Sequence, residues 1–201
     1  YNAFFSDTFD DPSEPKRIVD SCYLIRHGDT YMLWDSGLTA ALVGNPQGGA
    51  SLSATIGDQL ARIGVRPEQI AILGISHYHS DHLGQAADYP QARLIIGAAD
   101  AAWLRGGEGA FNEPALLRPW LEGGSELTEA SGDVDVFGDG RVVMLDMPGH
   151  TPGHYALLVR LASGPVLLSG DLYHFAEQVE NRGVPPFNHD RADTLASFDR
   201  Y

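Results

Sequence analysis

The chain predicts an α/β protein, and three observations carry that expectation: short apolar runs, helix-spaced segments between them, and many turn-forming residues. Residues 70–75 and 93–96 are almost continuously apolar, the pattern of strands buried on both faces. Residues 51–63 carry Leu52, Ile56, Leu60 and Ile63 near helical spacing, with Ser53 as candidate N-cap and Gly64 as the stop, and 98–104 read as a second helix. The 23 glycines and 12 prolines among 201 residues suit a strand-rich chain better than a helical bundle.

The remaining elements follow in order. Residues 1–16, with Asp10, Asp11, Pro12 and Pro15, read as an irregular entry segment. Residues 18–26 and 30–34 are predicted strands around His27-Gly28-Asp29, a connection of hairpin length. Residues 106–132, which contain Phe111, Trp120 and Leu121, are the least readable stretch and are expected to form a lid or a long connection. Residues 134–137 and 141–144 bracket Gly138-Asp139-Gly140, a hairpin signal, and 155–161 pairs with 166–168 around Ser163-Gly164-Pro165. A last helix is predicted over 192–201. The length predicts one domain, 1–201.

Thirteen basic against 27 acidic residues leave a net charge of -14. Such a chain is repelled by phosphate backbones and anionic membranes, so neither nucleic acid nor a membrane is an expected partner, while divalent cations meet an attractive field. Cys22 is the single cysteine, which excludes an internal disulfide and a cysteine-based zinc cluster; it is expected to be a small buried hydrophobe. No run approaches the roughly 20 apolar residues of a membrane span. The start at Tyr1, without an initiator Met, fits a trimmed form and an exported, periplasmic or secreted, location; the oligomeric state is open.

Candidate chemistry falls at predicted element ends: His77, His79, Asp81 and His82 after one strand, His150 after another and Asp171 after a third. Three histidines and an aspartate within six residues are a poor match to chance in a chain with eight histidines. His77 and His79 alternate, so an extended backbone points them the same way, and Asp81 and His82 are left to face a second centre. Imidazole nitrogen with carboxylate oxygen is the ligand set of catalytic zinc and related first-row ions.

SHYHSDHLG (76–84), PGHTPGH (148–154) and LSGDLYH (168–174) occur in the order of the metallo-β-lactamase superfamily, which the sequence resembles along nearly its whole length. Tyr23-Leu24-Ile25 and Trp34-Asp35-Ser36-Gly37 look like that family's first hairpin and its turn. The resemblance implies an αββα sandwich of two mixed β-sheets with helices on the outer faces. It also implies two divalent metal ions, expected to be zinc: His77, His79 and His150 on the first, Asp81 and His82 on the second, Asp171 bridging. NAFFSDTF, SCYLIRHGD, GISHYHSDHLGQAADYP, GDLYHF and FNHDRADTLASFDR look most like the N-acyl-homoserine-lactone hydrolases. The implied reaction opens a lactone ester by a hydroxide shared between two metals, with Asp81 as proton shuttle.

Two departures stand out. Relatives place a Tyr three residues after the bridging Asp, where this chain has His174, taken here as a second catalytic candidate because imidazole also donates to an oxyanion. Relatives also begin with an earlier strand and supply a further C-terminal His, so the chain is expected to be trimmed at both ends. His154 is expected to sit behind the ligands, and His27 and His189 in solvated turns. Trp103, Phe111 and Trp120, or Phe4 and Phe5, are candidates to line an acyl pocket. The rival readings are a glyoxalase II-type thioesterase or general esterase on the same metals, and a non-catalytic metal-binding protein.

Overall fold

The structure is a computed structural model that describes residues 2–8, 14–106 and 112–200. The chain clusters into two compact units. The first comprises residues 20–96 and 101–129; the second comprises 1–19, 97–100 and 130–201.

The first unit is organised by a five-stranded sheet. Strands β1 (Tyr23–His27) and β2 (Thr30–Trp34) form an antiparallel hairpin, with His27 opposite Thr30 and Gly28 at φ 59 in the two-residue turn. The predicted strand over 18–26 is therefore shorter at its start: Val19 is 72% exposed, and no sheet neighbour pairs it. Helix α1 (Ile56–Arg62) begins at Thr55, not Ser53. Thr55 Oγ1 accepts from Asp58 N at 3.0 Å while Asp58 Oδ2 accepts from Thr55 N at 3.2 Å, a capping box written as T-x-x-D. Strand β3 (Ile70–Gly74) runs parallel to β2 and to β4 (Arg93–Gly97), and the sheet order is completed by β5 (Leu127–Ala130), which the sequence did not reveal. Short helix α2 (Ser80–Leu83) follows β3, helix α3 (Ala98–Gly106) follows β4, and α4 (Arg118–Leu121) falls in the poorly readable stretch. Leu33, Ile70, Leu73, Ile75, Leu94 and Ile96 join Leu60, Leu83 and Trp120 in one core, which explains the continuous apolar runs of β3 and β4.

The second unit carries a four-stranded sheet in the order β6 (Val134–Asp135), β7 (Val142–Asp146), β8 (Tyr155–Leu161), β9 (Gly164–Leu168). All three described pairings are antiparallel, so mixed order holds for the first sheet and not for this one. Asp135 closes the β6–β7 turn by accepting from Gly138 N and Gly140 N, at 2.9 and 2.7 Å. Helices α5 (Glu177–Asn181) and α6 (Arg191–Arg200) complete the unit. Asp190 Oδ1 caps α6 by accepting from Asp193 N at 2.8 Å. Met147, Ala156, Leu172, Val184 and Phe198 form a core here. Within the entry segment, Asn2–Phe5 is a 3-10 turn, and Gln178 Nε2 donates to Phe5 O at 2.7 Å.

Candidate metal centre

In the first unit, β3 ends at Gly74 and the chain passes through Ser76 and His77 into α2. His77 is fully buried and His82 nearly so. His77 Nε2 lies 3.0 Å from His79 Nδ1. That is close to the roughly 3.3 Å that separates two nitrogens on one tetrahedral ion with bonds of about 2.0–2.1 Å. The other ring nitrogen of His77, Nδ1, is 3.0 Å from Ser76 Oγ, and His82 Nδ1 is 3.0 Å from Asp35 Oδ2 and 3.2 Å from the same Ser76 Oγ. Asp81 occupies the first turn of α2, half-buried.

Asp35 is the support of this cluster. It is 2% exposed, and its Oδ1 accepts the Ser76 N–H at 2.7 Å. It sits at φ 56, a left-handed conformation in which Asp is tolerated better than most residues. Around it, Ser36 N donates to His82 O at 2.8 Å and Gly84 N to Gly37 O at 2.7 Å. The approach at Gly84 is so close that a Cβ there would lie 2.3 Å from Thr39 N, so only glycine fits. Burial, then the charges of Asp35 and Asp20, push the Cys22 thiol up to about 12. It borders a cleft of about 530 Å³ shared with Leu24, Leu38, Ile56 and Leu60.

In the second unit, three more candidates meet. His150 Nε2 is 3.5 Å and His174 Nε2 3.2 Å from Asp171 Oδ2, and single donor atoms of all three residues lie within 4.8 Å of one another. His150 is oriented by Asn188, whose Oδ1 is 2.9 Å from Nδ1 and whose Nδ2 donates to Thr194 Oγ1 at 3.1 Å. Gly149, at φ 135, lets Thr194 pass: a Cβ would lie 2.4 Å from Thr194 N. Fully buried Asp100, in the first turn of α3, accepts from Thr151 Oγ1 at 2.8 Å and Gly153 N at 2.7 Å and so fixes the loop that carries His150.

His154 sits behind this cluster, as expected. Its Nδ1 donates to Met147 O at 3.0 Å, and its Nε2 accepts the Asp171 N–H at 3.1 Å, which together define one neutral tautomer. His174 is different from every other buried imidazole here: its Nδ1 is buried with no hydrogen-bond partner, and its ring lies 4.9 Å from that of Phe5. Gln178 Oε1 holds its backbone by accepting from His174 N at 2.6 Å and Phe175 N at 3.0 Å.

The structure thus brings His77, His79 and His82 together in one unit and His150, Asp171 and His174 together in the other. Trp120 is core, 3% exposed, with Nε1 donating to Ala92 O at 2.9 Å. Trp103 stacks on Tyr78 at 6.0 Å, and Phe111 lies outside the described residues. His189 is exposed, although its N–H donates to His150 O at 3.1 Å; His27 is half-buried at the end of β1. Sequence reasoning missed Asp35, Ser76, Asp100, Asn188 and Gln178 as supports. The only signals for them were an Asp in a turn before Ser-Gly, a Ser before His77 and an Asn before a helix cap.

A model of the metallo-beta-lactamase superfamily matches residues 17–201. The chain is 31% identical over 153 residues to N-acyl homoserine lactonase AttM of Rhizobium radiobacter, an alignment covering 71% of this chain and 56% of that protein. It therefore spans little more than half the length of that relative. It is 30% identical over 192 residues to an N-acyl homoserine lactonase of Bacillus sp, covering 89% of this chain and 73% of that one. Among solved structures, a quorum-quenching N-acyl homoserine lactone lactonase matches at a TM-score of 0.81 and 23% identity, over 99% of this chain and 79% of the other, a likeness of fold. No helix among the described residues is long and apolar enough to cross a membrane.

Proposed function

The chain belongs to the metallo-β-lactamase superfamily, and from that premise we propose that it is a metal-dependent hydrolase of lactone esters, with N-acyl-homoserine lactones as substrates. In this reading His77, His79 and His150 hold one divalent ion, Asp81 and His82 a second, and Asp171 both, with zinc the expected metal. One observation carries it. His77, His82 and His150 each have Nδ1 engaged by an outer oxygen, of Ser76, Asp35 and Asn188, and Nε2 of His77 and of His150 faces another candidate ligand, His79 and Asp171. Ligating histidines are oriented in this way. The lactonase relatives supply the substrate class.

Bound ions would polarise the ester carbonyl and lower the pKa of water held beside it. The chain's own residues supply the rest. Asp35, Ser76 and Asn188 fix the tautomers and ring planes of the imidazoles, and His154 fixes Asp171 through its backbone N–H. Asp81 carries the proton between attacking water and leaving alkoxide. His174 is assigned the donor to the developing oxyanion. Lacking any partner for Nδ1, it does not have the outer oxygen that His77, His82 and His150 have, and its Nε2 faces Asp171.

The test is elemental analysis of the purified chain together with ring opening of a long-chain acyl-homoserine lactone, with and without chelator, against a thioester control. Two metals and chelator-sensitive lactone opening are expected. Asp171→Asn should lose metal and turnover together; a variant that keeps both would remove Asp171 from the centre, and turnover of the thioester alone would replace the lactonase reading.

A further inference from the structure

The first unit holds a cleft that none of the candidate ligands lines. Its volume, about 530 Å³, lies within the roughly 300–1,000 Å³ of small-molecule pockets. Leu24 of β1, Leu38, Leu52, Ile56 and Leu60 of α1, and Ile63 form its aliphatic lining. Ile56 and Leu60 are buried, Leu24, Leu38 and Leu52 are half-buried, and Ile63 is 64% exposed. The apolar lining therefore runs from the core of the unit out to solvent.

Polar contacts hold these walls in place. Gln85, 3% exposed, ties two of them together: its Oε1 accepts from Ile56 N at 2.8 Å and its Nε2 donates to Leu38 O at 2.8 Å. The Thr55–Asp58 capping box fixes the start of α1, and the pairing of Leu24 with Leu33 fixes the hairpin. Gly37 comes so near Cys22 that a Cβ would lie 2.9 Å from its Sγ. A cleft whose walls are fixed beforehand loses little freedom when a ligand enters.

Charge then selects the ligand. Asp20 is the one charged residue among those lining the cleft, and it is exposed. Its carboxylate is felt inside: after burial and Asp35, it adds to the upward push on the Cys22 thiol. The lining thus offers apolar contact and a single negative charge, in a chain whose net charge is -14. Such a field repels carboxylates and attracts ammonium groups.

We infer that this cleft is a second binding site, selective for small apolar amines, with the hydrocarbon body against Leu24, Leu38 and Ile63 and the ammonium at Asp20. The site stands apart from the lactone reading, because no candidate ligand lines it.

The experiment is calorimetric titration of the purified chain with phenylpropylamine, phenylpropanol and phenylpropanoate, which share one body and differ in the head. Saturable binding of the amine is expected, about threefold tighter than the alcohol and about tenfold tighter than the carboxylate. Asp20→Asn should bring the three probes to within about twofold of one another, and Ile63→Ser should weaken all three by about threefold. Both positions are exposed, and urea denaturation checks that both variants fold as the wild type does. Equal affinity for the three probes in the wild type overturns the site. Amine binding left unchanged in both variants also overturns it, and would spread the amine over the acidic surface. A wild type that binds the amine and opens no lactone removes the lactone reading alone. One that opens lactone without saturable amine binding removes the cleft alone.

Discussion

The two clusters of candidate ligands are built in opposite ways. In the first unit, four candidates fall between His77 and His82 on the loop and short helix that follow β3, and that local path is enough to bring His77, His79 and His82 together. In the second, His150 comes from the β7–β8 loop and Asp171 and His174 from the segment after β9, and only the sheet gathers them. Asp146 pairs with Tyr155 and Leu157 with Leu168, so the β7–β8 loop and the segment after β9 leave the sheet at the same end. The supports differ accordingly. One residue, Asp35, holds both the Ser76 backbone and His82, whereas His150, Asp171 and His174 each have a separate partner in Asn188, His154 and Gln178. A compact cluster is thus vulnerable at one outer residue, and a dispersed one spreads that risk.

The sharpest way to break this comparison is Asp35→Ala. It removes the acceptor of the buried Ser76 N–H, strips His82 of its carboxylate and places a Cβ-bearing residue without a local polar group at φ 56. An orphaned buried donor costs about 1–3 kcal/mol and the left-handed backbone about 1–2 kcal/mol more. Urea denaturation should therefore show a loss of about 3 kcal/mol, and competitive chelator titration a metal affinity lower by about 10–100-fold. Asp35→Asn keeps an oxygen for Ser76 N–H and tolerates the backbone. It should lose metal affinity by about tenfold and stability by under about 1 kcal/mol. Equal stability losses in the two variants would mean that the backbone and the acceptor contribute nothing separable.

Asn188→Ala is the matching change in the second unit. It touches His150 alone among the candidates, so metal affinity should fall about tenfold, with a stability cost of about 1 kcal/mol. The cost is small because Thr194 Oγ1, left by the Asn188 amide, still donates to Asp190 O at 2.6 Å. Asn188→Asp restores an acceptor at His150 Nδ1 and should recover most of the affinity. If Asn188→Ala instead weakens binding as far as Asp35→Ala does, the second cluster is no more distributed than the first.

The same contrast governs what could be read before the structure. Strands β2, β3, β4 and β8 and the loop from His77 to His82 were legible because apolar runs and ligand spacing are local signals. The cap of α1 was misplaced by two residues, since Ser53 and Thr55 are equally good capping types and only the Asp58 side chain distinguishes them. β5 was invisible in a stretch whose pairing partner lies far back in sequence, as Leu94 N donating to Glu126 O shows. The turn that carries Asp35 was recognised but its role as a support was not, because its partners are Ser76, 41 residues on, and His82, 47 residues on. Phe187 was not singled out, because it meets Phe4 and Phe5 only through contacts across almost the whole chain.

Cys22 gives the gentlest probe of Asp35, since it senses the carboxylate without being a candidate ligand itself. Burial first, and then the Asp35 and Asp20 carboxylates, push its thiol up to about 12, so it should resist thiol reagents at neutral and mildly alkaline pH. The folded chain keeps the proton in the window between the unfolded thiol's value, about 8.5, and 12, while the unfolded chain loses it. Folding stability should therefore decline as pH rises through that window, by at most about 1.4 kcal/mol per pH unit from this group, and Cys22→Ala should flatten that decline. Asp35→Asn removes the charge and leaves the burial, so thiolate absorbance should appear at lower pH than in the wild type but still above the ordinary thiol range. A thiol that titrates identically in the two proteins would mean that the Asp35 charge is already neutralised by His82, and would move the origin of the shift to burial and Asp20.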